Sequence, residues 1–332
     1  ILSMLLASVM VLSLAACSNQ PAEENSSSQS FSEQTASLET TYPVTITDAL
    51  GREVTIEEEP ERLVSGYYIT TSYLAALDLD EKLVGIEAKA DTRELPSLPN
   101  VGSLKQFNLE TCVSTEPDLV ILSAKVPDAV AKLEELGIPV IAVNPESEKE
   151  FKETISMIGI ACNVQERAGE LTESYDKAIA DLAAKLEGVV PARVYLGGNS
   201  AFLSTAGPAM FQDLLIRGAG AENVASEIAD AYWATVSYEQ LLAWNPDAII
   251  LAPQAEYTVD DVLNDPALAD LDAVKNGKVY AMPNVIESWD SPIPSSYLGS
   301  IWMASVLYPD AVSTEDYTKA CVDFYQQFYD PC

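Results

Sequence analysis

The chain has 332 residues, 48% of them apolar, enough for two α/β domains with cores of ordinary size and unlike a fibrous or disordered composition. Its 51 acidic against 18 basic residues leave a formal charge of −33, which repels nucleic acid and anionic membrane surfaces. Histidine is absent, which removes the commonest metal ligand and general base and weighs against zinc sites and against Ser/His/Asp or Cys/His catalysis.

Residues 1–16, ILSMLLASVMVLSLAA, carry no charge and end in small side chains before Cys17, the pattern of a signal peptide with its cleavage site. They fall short of the roughly 20 apolar residues that a transmembrane helix needs. Leu14-Ala15-Ala16-Cys17 resembles a bacterial lipobox, which implies lipidation of Cys17 and an extracytoplasmic protein anchored to the cell membrane. No Lys or Arg precedes the apolar run and residue 1 is not Met, so the start of the precursor is expected to be missing. Residues 17–41 are rich in Ser, Glu, Gln and Thr, cannot repay their ordering entropy, and read as a disordered tether. The other cysteines are Cys112, Cys162, Cys321 and Cys332, in an exported chain where disulfides persist. Cys321 and Cys332 bracket the last helix and could form a local staple, whereas Cys112 reads as a small hydrophobe; the pairing stays open.

An N-terminal α/β lobe is expected over 42–162. It opens with VTITDALGREVTIEE, whose alternation around Ala49 to Arg52 predicts a hairpin. Strand-like runs follow at Arg62 to Tyr68, Lys82 to Ala88, Asp118 to Ala124 and Pro139 to Val143, alternating with helical stretches as in βαβ units. Val164 to Glu187 holds apolar residues at three-and-four spacing, predicting one long helix within 163–188. Asn163 with Glu166 is placed to cap its start, and Gly188 then Pro191 to stop it. Its 24 residues would reach about 36 Å, the width of a domain. A C-terminal α/β lobe over 189–332 repeats the scheme with runs at Ala192 to Gly198, Asp247 to Pro253 and Lys278 to Pro283. NLETCVSTEPDLVI (Asn108 to Ile121) returns as SYEQLLAWNPDAII (Ser237 to Ile250), so the unit of capped helix, stop and buried strand occurs twice. The fold class is α/β, with two Rossmann-like lobes of mostly parallel sheet joined by one long α-helix.

DALGREVTIEEEPERLVS, FNLETCVSTEPDLVI, GIPVIAV, AGAENVAS, VSYEQLLAWNPDAIIL and WDSPIPSSYLGSIWMASVLYP together resemble the substrate-binding lipoproteins of ABC importers, in the iron-siderophore, haem and cobalamin group. The resemblance runs from about Tyr42 to the C-terminus. It implies two lobes flanking a ligand cleft, limited closure, no catalysis, no cofactor of its own, and as partners a permease dimer with its cytoplasmic ATPase. It also implies that Glu110 and Glu239, one per lobe, dock on permease arginines. The family's first strand commonly ends in a Ser-Pro-Ser type turn where this chain has SGYYITTS, which leaves the exact ligand open.

In open α/β sheets the ligand crevice lies beyond the carboxyl ends of the strands. The residues there are Tyr67, Tyr68, Lys89, Arg93, Lys105 and Lys125 from the first lobe and Asn199, Tyr232, Trp233, Tyr257, Trp289 and Asp290 from the second. Aromatic faces with a few cations suit a bulky planar or anionic metal chelate. The expectation is a monomer that binds a ferric siderophore, with a corrinoid or haem as the alternative. Tyr67 and Tyr68, adjacent on a strand, would point to opposite faces. From other classes there remain a sensor or adhesion lipoprotein and a doubly wound enzyme, for which LGGNSAFLSTAG is a poor Gly-rich phosphate loop.

Overall fold

The computed structural model describes residues 39–87, 98–228, 233–284 and 286–329. The chain opens with an antiparallel hairpin, β1 (Val44–Thr47) and β2 (Glu53–Ile56), in the expected register around Gly51. The first parallel sheet comprises β3 (Leu63–Ser65), β4 (Leu83–Ile86), β7 (Leu119–Ser123) and β8 (Val140–Val143), in spatial order β4-β3-β7-β8. The second comprises β9 (Arg193–Gly197), β11 (Glu222–Asn223), β13 (Ala248–Leu251) and β14 (Val279–Ala281), in order β11-β9-β13-β14. Numbered within each lobe, both sheets read 2-1-3-4, so the duplicated segment belongs to a duplicated topology. Short antiparallel ribbons, β5 (Gly102–Ser103) with β6 (Gln106–Phe107) and β10 (Ser204–Thr205) with β12 (Ala234–Thr235), decorate the two lobes.

The helices are α1 (Tyr68–Ala76), α2 (Leu109–Ser114), α3 (Pro127–Glu135), α4 (Glu148–Ala161), α5 (Gln165–Lys185), α6 (Phe211–Gly218), α7 (Tyr238–Trp244), α8 (Val259–Leu263), α9 (Asp272–Lys275), α10 (Tyr297–Leu307) and α11 (Thr314–Phe328). None among the described residues is long and apolar enough to cross a membrane. The long helix α5 has 21 residues, about 32 Å, and buries Ala168, Leu171, Tyr175 and Leu182 against α4, α10 and α6, elements of both lobes. Its start differs from expectation. Asn163 adopts a left-handed φ of 59° and its side chain accepts from Thr40 N at 2.7 Å, so it closes α4 and pins the incoming chain instead of capping α5. Gly188, at φ 79°, follows the C-terminal end of α5 as expected.

The strands are shorter than their hydrophobic runs, and one consequence matters. β3 stops at Ser65, so Tyr67 is the residue before α1 and Tyr68 its first residue, and the opposite-face argument for two tyrosines on one strand does not apply. Cys112 and Cys162 are buried thiols, pushed up by burial to about 11 and about 12, which keeps them unreactive. Cys332, the partner suggested for Cys321, lies outside the described residues, as do Cys17 and the tether up to residue 38.

Candidate functional site

Each sheet reverses its winding between its first and third strands, β3/β7 and β9/β13, and segments beyond these strand ends meet across the lobes at Tyr68 with Ser291 and Glu146 with Phe211, which makes this meeting line the candidate crevice. On the first wall the turn from β3 into α1 is fixed by buried hydroxyls. Ser65 Oγ donates to Tyr67 O at 3.0 Å, Thr70 Oγ1 donates to the same oxygen at 2.8 Å, and Thr71 Oγ1 donates to Ser65 Oγ at 2.8 Å. A Cβ on Gly66 would lie 2.2 Å from Leu122 Cδ2 and 2.9 Å from Phe107 Cε2, so only glycine lets the turn sit this close to β7. The turn delivers Tyr67 and Tyr68 as an edge-to-face pair with centroids 5.3 Å apart.

Tyr68 is the meeting point of the crevice. Its backbone N–H donates to Glu87 Oε2 at 2.6 Å, while Glu87 Oε1 accepts from Leu104 N at 3.2 Å, so a buried carboxylate from the end of β4 occupies the N-terminus of α1. Its hydroxyl lies 3.1 Å from Ser291 Oγ on the opposite wall. Burial pushes that phenol up to about 12, with the negative charges of Asp290, Glu87 and Glu146 adding to the shift. Lys125, after β7, is ion-paired with Glu146, whose other oxygen accepts from Phe211 N at the start of α6 across the crevice at 3.4 Å.

On the second wall Asn199 follows β9. Its amide donates to Pro253 O at 2.6 Å, tying the ends of β9 and β13 together. Trp233 packs against Gly198, where a Cβ would meet its ring at 2.9 Å. Tyr257 OH donates to Gly198 O at 2.7 Å. Asp290 is 5% exposed, and burial raises its carboxyl from 3.8 to about 7 against the lowering effect of hydrogen bonds from its own amide and from Asn199. Gln212 Nε2 donates to Asp290 O at 2.8 Å, and Gln212 Oε1 is buried with no partner among the described residues. Trp289 turns away from the open crevice, donating its indole N–H to Tyr325 OH at 3.1 Å.

Of the sequence candidates, Tyr67, Tyr68 and Asn199 follow β3 and β9 directly, whereas Trp233, Tyr257 and Asp290 come from longer connections that pack against Gly198 and Asn199 at the end of β9. Lys105 is an exposed residue of the β5–β6 turn, one position beyond the Leu104 amide that Glu87 binds. Lys89, Arg93 and Tyr232 lie outside the described residues. Glu87, Glu146, Gln212 and Ser291 were missed. Glu87 and Glu146 follow their strands closely enough for the strand-end rule to have found them, whereas Gln212 sits inside a helix turn and carries no signal. Among the described residues no group of three or more Cys, Asp or Glu could hold a metal ion.

A family profile described as periplasmic binding protein matches the sequence over residues 63–286. The chain belongs to the periplasmic binding protein family. It is 29% identical to the molybdate-binding protein MolA of Haemophilus influenzae over 86% of this chain and 90% of that one. The crystal structure of MolA bound to molybdate superposes with a TM-score of 0.77 at 26% identity, covering 87% of this chain and 98% of that one. An uncharacterised ABC transporter substrate-binding lipoprotein of Bacillus subtilis, YvrC, is 29% identical over 93% of this chain and 96% of its own length. A cobalamin-binding protein of Halobacterium salinarum is 25% identical over 84% and 77%. As a member of this family the chain is a substrate-binding protein of the ABC transporter kind, and the relatives it matches are binding proteins.

Proposed function

We propose that the crevice captures a metal chelated by an organic ligand, a ferric siderophore of neutral or positive charge first of all, and that the protein delivers it to an ABC permease as a monomer tethered through lipidated Cys17. The observation that supports this reading best is the company around Tyr68. Three carboxylates, Glu87, Glu146 and Asp290, surround it, and Lys125 is already paired with one of them. A bare oxyanion would have to displace Glu87 from Tyr68 N or Glu146 from Phe211 N before it reached a main-chain donor at a helix start. An organic chelate leaves those bonds in place and lies against Tyr68 and Trp233, with Tyr67 buried behind them. A corrinoid is the second reading, favoured by the cobalamin-binding relative, and haem would use the same aromatic surfaces. In the same reading Glu110 and Glu239, both exposed in first helical turns, are the docking points for the permease.

Tryptophan fluorescence titration discriminates these cargoes, because Trp233 lies against Gly198 at the end of β9. A ferric trihydroxamate is expected to bind more tightly than a trianionic ferric tricatecholate, haemin, cyanocobalamin or molybdate. Tight molybdate binding without a response to any chelate would sink the proposal.

A further inference from the structure

Between β14 and α10 the stretch from Glu287 to Ser296 is almost wholly buried, and it touches both lobes and the C-terminal helix. From the first lobe, Tyr68 OH meets Ser291 Oγ and Tyr73 OH donates to Pro292 O at 2.9 Å. From the second, Gln212 donates to Asp290 O. The head of the stretch is tied to α11. Three hydroxyls close on the Glu287 carboxylate, which is 8% exposed: Ser295 Oγ donates to Oε2 at 2.5 Å, Tyr325 OH to the same oxygen at 3.3 Å, and Tyr329 OH to Oε1 at 3.2 Å. Tyr325 accepts from Trp289 Nε1 in turn, and Tyr329 OH lies 3.3 Å from Ser72 O in α1. Burying a carboxylate costs more than burying an apolar side chain of the same size. The return is geometric, since an acceptor-only group with about four lone-pair sites can gather donors from several elements at once.

We infer that Glu287 is a positioning residue of the ligand crevice, acting through Tyr325 of the C-terminal helix and Tyr329 just beyond its end to hold Trp289, Asp290 and Ser291 against Tyr68. The inference rests on the crevice being the ligand site. It makes the C-terminal helix part of the binding machinery although α11 contributes no crevice wall of its own.

Labelling the four tryptophans with 5-fluorotryptophan, and assigning one resonance by Trp289→Phe, reads the arrangement directly in the full chain. Tyr325→Phe and Glu287→Gln are each expected to shift the Trp289 resonance while the other three stay in place. In both variants amide exchange across 287–293 should rise about tenfold or more, the equivalent of one charge-assisted hydrogen bond. Tyr317→Phe, whose ring packs edge-on against Trp289 at 6.0 Å, is the control and should leave exchange unchanged. For a chelate that binds the wild type, Glu287→Gln should weaken binding about tenfold while the thermal midpoint stays near that of the Tyr317→Phe protein. An unmoved Trp289 resonance with wild-type exchange overturns the inference, and should Glu287→Gln fail to fold, Tyr325→Phe decides alone. Failure of every probe to bind the wild type counts against the cargo reading instead, and the resonance and exchange results still decide the positioning role.

Discussion

Asp290 shows how one buried group ties the crevice to pH. Its folded carboxyl titrates near 7 because burial penalises the charge, whereas an unfolded aspartate titrates near 4. Between those values the native state binds more protons than the unfolded one, so stability falls as pH rises through the window and levels off above it. The slope from this one group is at most about 1.4 kcal/mol per pH unit. The groups that face it are Asn199 from the end of β9 and the phenol of Tyr68, which Glu87 and Glu146 flank in turn, while Gln212 from α6 holds its main-chain oxygen. Asp290→Asn keeps the shape and removes the titration. Urea unfolding between pH 4.5 and 8 should therefore give a flatter stability curve for the variant, and an unchanged curve would place the linkage on another group. Asp290 and Tyr68 could be picked from sequence because they follow strands. Their partners could not, because Gln212 and Asp290 lie 78 positions apart and meet only once the second sheet is wound.

The duplicated segment gains a physical reason from the elements around it. Helices α2 and α7 have six and seven residues, so more than half of the carbonyls they own are terminal ones. Asn108 and Ser237 accept from the third helical amide at one end. At the other, Glu116 and Asn245 turn at positive φ ahead of the proline, and an arginine from the foot of the lobe's first strand takes up the last carbonyls. Arg62 Nε donates to Glu116 O at 2.8 Å, and Arg193 Nη1 donates to Trp244 O at 2.6 Å. The aspartate of each Pro-Asp pair then accepts from the backbone of that arginine, Asp118 from Arg62 N at 3.0 Å and Asp247 from Arg193 N at 2.8 Å. Arg193→Met should lower stability by about 1–2 kcal/mol in denaturant unfolding, speed amide exchange in 238–245 and leave ligand affinity alone. Wild-type exchange in that helix would mean the clamp is incidental. The strands, the hairpin and the long helix were legible because their signals are local periodicities. The arginine clamp was not, since its partners stand more than 50 residues away, although Pro-Glu-Arg-Leu and Pro-Ala-Arg-Val, which open the two first strands, repeat in plain view.

The two lobes are joined by more than a linker. One apolar core runs through both, and an aromatic series crosses it from Tyr73 to Phe151 at 5.8 Å, to Tyr175 on α5 at 4.9 Å, to Tyr297 on α10 at 6.0 Å and to Phe324 on α11 at 5.6 Å. Ring pairs of this kind add about 0.5–1.5 kcal/mol each beyond area burial, so opening the lobes widely would forfeit several contacts at once. Stiffness of this order suits a protein that presents two points to a dimeric partner at a fixed separation. Glu110 and Glu239 occupy the same position in equivalent helices of lobes with the same strand order. Glu239 is held below the usual carboxylate range by its own backbone amide and the Ser237 hydroxyl. A carboxylate on each lobe can pair with arginines on the two halves of a permease, and the loss of either leaves the assembly held on one side only. Glu110→Ala with Glu239→Ala should then abolish uptake of the bound chelate by cells carrying the permease, with each single variant intermediate and the fluorescence-measured affinity unchanged in all three. Because both carboxylates are exposed in first helical turns, a loss of affinity would assign them to folding or ligand binding, and normal uptake by the double variant would remove them from docking altogether.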